Sequence, residues 1–264
     1  MRKALTLVKC SHPEPVLAVT LISGLLALTA GRGAGTVWVV LAVLAGQLFV
    51  GWSNDYLDRR RDADAERHDK PLATRTIEPR VVAVAAATAL VLAIPLSLGS
   101  GIPATAVHLI ALGSATAYNL GLKATLLSPI PYAISFSLVP AFITLGLDPA
   151  HWPPLWATTA AGLIGVGGHF AQARPDVHRD RRQGVIGLPQ LAGDRASAII
   201  AAALLAAAAI SIAAGTRNPA TLVAVVPAAA VAIAKPKTAF RLALVTAAVT
   251  VVALVLNGPS LAQS

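Results

Sequence analysis

Residues 36–71 read TVWVVLAVLAGQLFVGWSNDYLDRRRDADAERHDKP, an uncharged run of 18 residues that leads directly into a segment dense in charge. Seven of the eleven residues from Asn54 to Asp64 are acidic or basic. As a helix the uncharged run is about 27 Å long, close to the roughly 30 Å of hydrocarbon in a bilayer. The stretch therefore reads as a membrane-spanning helix whose end carries carboxylates and guanidinium groups out of the apolar layer.

The rest of the chain repeats the first half of that pattern. Of 264 residues, 56% are hydrophobic and 12% charged, with mean hydropathy +0.70. A soluble domain carries about 25% charged residues. Apolar runs fall near 15–31, 36–53, 81–99, 102–121, 126–146, 155–173, 196–214, 219–234 and 238–256. None alternates apolar with polar residues as a barrel strand does, which leaves helices as the way to satisfy backbone groups in lipid. Pro103, Pro129, Pro131, Pro140 and Pro227 are expected at helix ends or kinks. The run at 219–234 is the shortest and carries Pro227 in its middle. The first run follows a basic tail but is too long for a signal-peptide core and lacks a small-residue cleavage pattern, so it reads as a retained span. The expected fold is all-α: a polytopic membrane protein of about nine transmembrane helices in one bundle, a single domain over 1–264.

Charge distribution orients such a bundle. With nine spans, nineteen of the 21 lysines and arginines fall on the side of the N-terminus, and only Arg32 and Arg217 on the other. That asymmetry places the N-terminus in the cytoplasm, in the inner or plasma membrane. It also accounts for the net charge of +9 without nucleic acid as a partner. The single Cys10 excludes an internal disulfide and a thiolate metal cage.

Both loops rich in acids, 54–80 and 174–195, then lie on the cytoplasmic side. Asp55, Asp58 and Asp62 follow at i, i+3 and i+7, one stripe of a helix, with Asn54 beside them. Asp176 and Asp180, in RPDVHRDRRQG, are spaced i, i+4. Two carboxylates 5 Å apart repel by about 3 kcal/mol at an effective dielectric near 20, so five at one mouth call for cations. Magnesium suits them: it takes hard oxygen ligands and binds through one or two carboxylates together with substrate phosphates. Asp64, Glu66, Asp69, Glu78 and Asp194 read instead as solvated partners of neighbouring arginines.

The cations nearby fit a diphosphate. Arg67 and Lys70 follow the first acidic cluster, and Arg179 lies within the second. Lys123 ends the fourth apolar run with no other charge between it and Arg80. Tyr118 and Asn119, a turn earlier, have two readings, ordering a substrate or satisfying neighbouring helices. His12 and His169 read as structural, and His108 and His151 lie toward the opposite half.

NDxxDxxxD at 54–62 with DxxxD at 176–180 resembles the paired signature of the UbiA-type membrane prenyltransferase superfamily. RHDKPL at 67–72, the Tyr118 and Lys123 pair, and Asp180, Gly184, Leu188 and Pro189 are similar to that family's flanking motifs, while Gln172 stands where many members have Asn. The resemblance spans essentially the whole chain. It implies a Mg2+-dependent enzyme that moves an isoprenyl group from an isoprenyl diphosphate to an acceptor, often aromatic, which the sequence leaves unidentified. Asn54, Asp55, Asp58, Asp62, Asp176 and Asp180 are then the expected metal ligands. Arg67, Lys70, Lys123 and Arg179, with Tyr118 and Asn119, are expected around the diphosphate. Tyr56, Tyr118 and Phe49 are the aromatic rings considered for facing an allylic cation. A membrane terpene cyclase and a transferase of phosphoribosyl diphosphate to a lipid phosphate share this chemistry and stay open. A transporter is disfavoured, since it would place its ionisable groups near the midplane. A CDP-alcohol phosphotransferase is disfavoured because its acidic motif is absent.

Overall fold

The computed structural model describes residues 2–257. Met1 and residues 258–264, which the single-domain expectation includes, lie outside the described residues. Among the described residues all regular structure is helical. The helices are α1 (Arg2–Cys10), α2 (Pro13–Thr29), α3 (Thr36–Asp64), α4 (Pro79–Leu98), α5 (Ile102–Leu120), α6 (Pro129–Thr144), α7 (Leu155–Ala173), α8 (Val177–Arg182), α9 (Leu188–Ala192), α10 (Asp194–Thr216), α11 (Val225–Ile233) and α12 (Pro236–Asn257).

A helix lies under each of the nine apolar runs. Among the described residues four helical segments, Gly33–Asp64, Pro79–Leu98, Asp194–Thr216 and Pro236–Val255, are long and apolar enough to cross a membrane. The count is five if α1 and α2, bent by 69° at residues 11–12, form one span. Proline marks the boundaries, because it lacks the amide that a first helical turn leaves unpaired. Pro13, Pro79, Pro129 and Pro236 each open a helix, and Pro103 stands at the second position of α5. Pro140 and Pro95 lie inside helices. The run around Pro227 is split: residues Pro219–Ala224 wind as a 3-10 helix before α11 begins.

Alanine and valine make up much of the interior around a few large side chains such as Phe142 and Leu205, and many leucines, isoleucines and valines face outward. One core cluster sets Ala27 and Ala30 of α2 against Val39, Ala42 and Val43 of α3, Ala104 of α5 and Phe142 and Ile143 of α6. A second joins Phe170 of α7, Ala201 and Leu205 of α10, Ala228 and Val231 of α11 and Ala239 of α12. Leu21, Leu28, Val84, Val91, Ile110, Ile199, Ile210 and Val226 are exposed. Alanine at the contacts lets helix backbones approach closely, the packing used where lipid surrounds a bundle.

α3 positions the site. Between Trp52 and Lys70 the sequence contains neither glycine nor proline, so nothing stops the helix where its apolar part ends. It continues for almost three more turns, to Asp64.

Candidate active site

Because α3 is unbroken, Asp55, Asp58 and Asp62 lie along one stripe of its last turns. Glu66, in the left-handed region (φ 51°), then reverses the chain, and the Arg67 amide bonds back to the Asp62 carbonyl at 3.0 Å. The reversal returns Lys70 to the helix it has just left, with its Nζ 2.6 Å from Asp55 Oδ1. His12 approaches the same oxygen beside it, its Nε2 2.8 Å from Oδ1 and 3.0 Å from Lys70 Nζ. Gly51 makes that approach feasible: a Cβ there would run into the carbonyl of Ser11, so only glycine lets the α1–α2 elbow lie against α3 one turn before Asp55.

Asp58 is held from two directions. Lys123 Nζ lies 2.5 Å from its Oδ1, and Arg61 Nη2 lies 2.8 Å from its Oδ2. Lys123 sits in the 3-10 turn Leu122–Ala124 after α5. Gly187 fixes that turn from outside, where a Cβ would come within 2.5 Å of the Lys123 carbonyl. Burial lowers the pKa of Lys123, and Asp58 opposes the shift. At the end of α5, Asn119 donates to the Val50 carbonyl at 3.1 Å and to Ser53 Oγ at 3.0 Å, and its side-chain oxygen accepts from Asn54 at 3.2 Å.

The second acidic pair does not form one continuous helix. Residues Arg174–Asp176 wind as a 3-10 turn and α8 starts at Val177, so Asp176 and Asp180 face different partners. Asp176 pairs with Arg179 and lies 3.7 Å from Arg67 Nη1. Asp180 Oδ2 accepts from Gln190 Nε2 at 2.8 Å. Burial, reinforced by Asp176, holds the Asp180 carboxyl above the usual carboxylate range against the Gln190 bond. Arg67 is shared between Asp176 and a bidentate pair with Asp69, at 2.8 and 2.6 Å; that pair holds Asp69 well below the usual range. Gln183 Nε2 donates to the Arg61 carbonyl at 3.2 Å, tying the end of α8 to α3. The two acidic clusters thus meet through Arg67 and through Gln183.

Inward from this mouth lies an aromatic group. Tyr132 stacks on His169 with ring centroids 4.5 Å apart, and Tyr118 meets Tyr132 edge-on at 5.1 Å. Tyr118 lies near both Asp58 and Asp180. Tyr132 donates to Gln172 Oε1 at 3.1 Å.

The sequence model of the UbiA prenyltransferase family matches residues 16–243. The chain belongs to this family. Three solved structures share the fold at low sequence identity. A UbiA homologue from Aeropyrum pernix K1, in its apo form, superposes with TM-score 0.71 at 17% identity, covering 97% of this chain and 98% of that one. A homologue from Archaeoglobus fulgidus bound to GPP and Mg2+ gives 0.67 at 16%, covering 94% and 97%. A digeranylgeranylglyceryl phosphate synthase gives 0.67 at 17%, covering 100% of both chains. No curated protein matches the sequence.

In this UbiA chain the carboxylates fit a hard divalent cation. Asp55 Oδ2 is buried without a hydrogen-bond partner. Asp62 is 6% exposed, and no hydrogen bond or ion pair holds its carboxylate among the described residues. An oxygen withdrawn from water and left unpaired, as Asp55 Oδ2 is, suits a cation ligand. Among the described residues no three His, Cys, Asp or Glu side chains gather to hold a metal.

Sequence reasoning missed His12 and Gln190. His12 is 43 residues from Asp55, and only its place before the Pro13 helix start hints at an elbow. Gln190 directly follows the Leu188–Pro189 pair and could have been noticed there. Of the three rings considered for a cation, Tyr56 carries the Arg59 guanidinium on its face at 4.1 Å and Phe49 is packed among Ala86, Ala89 and Leu112. Tyr118 packs edge-on against Tyr132 and His169.

Proposed function

We propose that this protein is an integral-membrane prenyltransferase, Mg2+-dependent, that moves an isoprenyl group from its diphosphate to an acceptor. In this reading the nine helical runs cross the inner or plasma membrane, with the N-terminus and the mouth on the cytoplasmic side. What carries the reading is the interleaving of acids and cations at one end of an inside-out bundle. Lys70 sits on Asp55, Lys123 on Asp58 and Arg67 near Asp176.

Asn54, Asp55, Asp58 and Asp62 would hold magnesium on one side, and Asp176 and Asp180 on the other. Bound there, the metal supplies positive charge to the diphosphate as it leaves. Lys123, Lys70, Arg67 and Arg179 exchange their carboxylate partners for phosphate oxygens, giving charge-assisted hydrogen bonds that strengthen as negative charge develops. Asn119 holds Asn54 and the end of α3 in register. Tyr118 turns its ring toward the allylic carbon, where an aromatic face favours a cation. The isoprenyl tail lies among the apolar helices, and Tyr132 and His169 help exclude water from the reacting carbon.

The test uses Asp55→Ala and Asp176→Ala proteins in membranes, incubated with an isoprenyl diphosphate and a lipid extract as acceptor source. Both variants insert normally and form no prenylated product by mass spectrometry. Wild-type turnover in either one overturns the assignment.

A further inference from the structure

Two crevices lie along the seam between α3 and α4, on a face of α3 that the proposed reaction does not use. Toward the mouth, a cavity of about 350 Å³ is lined by Arg59, Arg60 and Arg75, with Glu78 as its one acid and Leu72 and Ile77 at its base. Further along the same seam, a cavity of about 300 Å³ is lined by Ala45, Leu48 and Trp52 of α3 and Ala85, Thr88 and Leu92 of α4. Ala45, Trp52 and Arg59 follow one another at steps of seven residues, which return to nearly the same side of a helix. Both crevices therefore lie on one line. The Asp55, Asp58 and Asp62 stripe is turned away from it by about 100°.

The chemistry changes along that line from apolar to basic. Arg60 and Arg75 are exposed and have no acidic partner among the described residues. Arg59 lies flat on Tyr56 and donates to its carbonyl at 2.6 Å. Arg75 is held in the left-handed region (φ 55°), an uncommon conformation for a residue other than glycine. α4 opens at Pro79 in the cavity wall, so the positive end of a 20-residue helix adds to the field there. Trp52, whose Nε1 donates to the Leu7 carbonyl at 2.9 Å, stands between the apolar and basic parts, as tryptophan does at membrane interfaces.

We propose that the α3–α4 seam is a binding site for one anionic phospholipid, its headgroup phosphate on Arg59, Arg60 and Arg75 and an acyl chain in the groove beside Trp52. The apolar groove excludes a free phosphate as the natural occupant, and the unpaired guanidinium groups favour an anionic headgroup over a zwitterionic one. The proposal rests on the bundle lying in a bilayer and not on prenyl transfer.

Native mass spectrometry of the purified full chain tests it, with phosphatidylglycerol and phosphatidylcholine added separately to delipidated protein. The wild-type chain retains phosphatidylglycerol in preference to phosphatidylcholine. An Arg60→Ala/Arg75→Ala variant loses about tenfold or more of the phosphatidylglycerol retention and leaves that of phosphatidylcholine unchanged. Arg60→Lys/Arg75→Lys keeps most of it, which separates lost charge from lost fold. Equal retention of the two lipids by the wild-type chain overturns the proposal. So does undiminished phosphatidylglycerol binding in the alanine variant, or displacement of the lipid by millimolar inorganic phosphate alone.

Discussion

Lys123 and Asp58, 65 residues apart in the chain, meet at 2.5 Å across the mouth of the bundle. The pair joins the end of α5 to the end of α3, and both side chains are nearly buried, 11% and 12% exposed. Arg61 remains on Asp58 if the lysine is removed, so the fold survives its loss. Lys123→Ala is expected to lower kcat about 100-fold, the usual effect of deleting one donor to developing charge. Lys123→Arg recovers part of it. Steady-state kinetics together with an unchanged thermal midpoint check this; an alanine variant with wild-type kcat removes Lys123 from the diphosphate site.

Asp180 sets a pH dependence. Its carboxyl is held above the usual range by burial and by Asp176, so the folded chain binds its proton more tightly than the unfolded chain. Asp180's own contribution to the stability of the metal-free protein is therefore lost as pH rises through its folded pKa, while Asp69, held below the usual range by Arg67, contributes in the opposite sense. Magnesium relieves that charge, and it raises the thermal midpoint more at pH 7 than at pH 4.5. Chelation with EDTA removes both the shift and the activity. An equal shift at both pH values excludes Asp180 from the metal site.

Two glycine substitutions separate contact from helix propensity. Gly51→Ala drives a methyl group into the Ser11 carbonyl and pushes the α1–α2 elbow away from α3. It is expected to cost about 1–3 kcal/mol, as overpacking does, and to lower activity by detaching His12 from Asp55. Gly113→Ala, in α5, meets nothing within 4 Å and is expected to be neutral or stabilising by about 0.5–1 kcal/mol. Chemical denaturation of the two variants side by side checks the contrast.

Arg174 anchors the last third of the chain. Its guanidinium is 6% exposed, pairs with Asp194 at 2.8 and 3.3 Å, and donates to the carbonyls of Val231 and Ala234 at 3.1 Å each. One side chain thus holds the start of α10 and the end of α11. Arg174→Met is expected to destabilise by about 1–3 kcal/mol, because the Val231 and Ala234 carbonyls lose their charged donor, while Asp194, 39% exposed, turns to water. Lysine does not rescue it, because an ammonium group cannot reproduce the planar fork. Thermal unfolding in detergent provides the measurement.

The bundle was largely legible because periodicity and composition are local properties. Each apolar run became helix, and the i, i+3, i+7 spacing of Asp55, Asp58 and Asp62 set the acids of α3 on one stripe. What escaped depended on distant contacts. Residues 2–10 read as a basic tail, yet they form α1, because Leu7 and Cys10 find an apolar patch of Leu72, Ile77 and Val82. The i, i+4 spacing of Asp176 and Asp180 gave no sign that Arg174–Asp176 winds as a 3-10 turn before α8, nor which side chains pair with each acid. Neither the placement of His12 on Asp55 nor that of Gln190 on Asp180 leaves a trace in spacing, since tertiary packing alone brings them together.

The rigidity of α3 has a further consequence for how its length can vary. Inserting or deleting one residue anywhere in 36–53 would swing every downstream carboxylate by about 100° and shift it by about 1.5 Å along the axis. Asp55, Asp58 and Asp62 would then point away from Asp176 and Asp180, with no flexible loop between to absorb the error. Seven residues could be added with the facing nearly kept, but the stripe would stand about 10 Å higher, beyond the reach of Lys123. The distance from Thr36 to Asp62 thus acts as a fixed ruler.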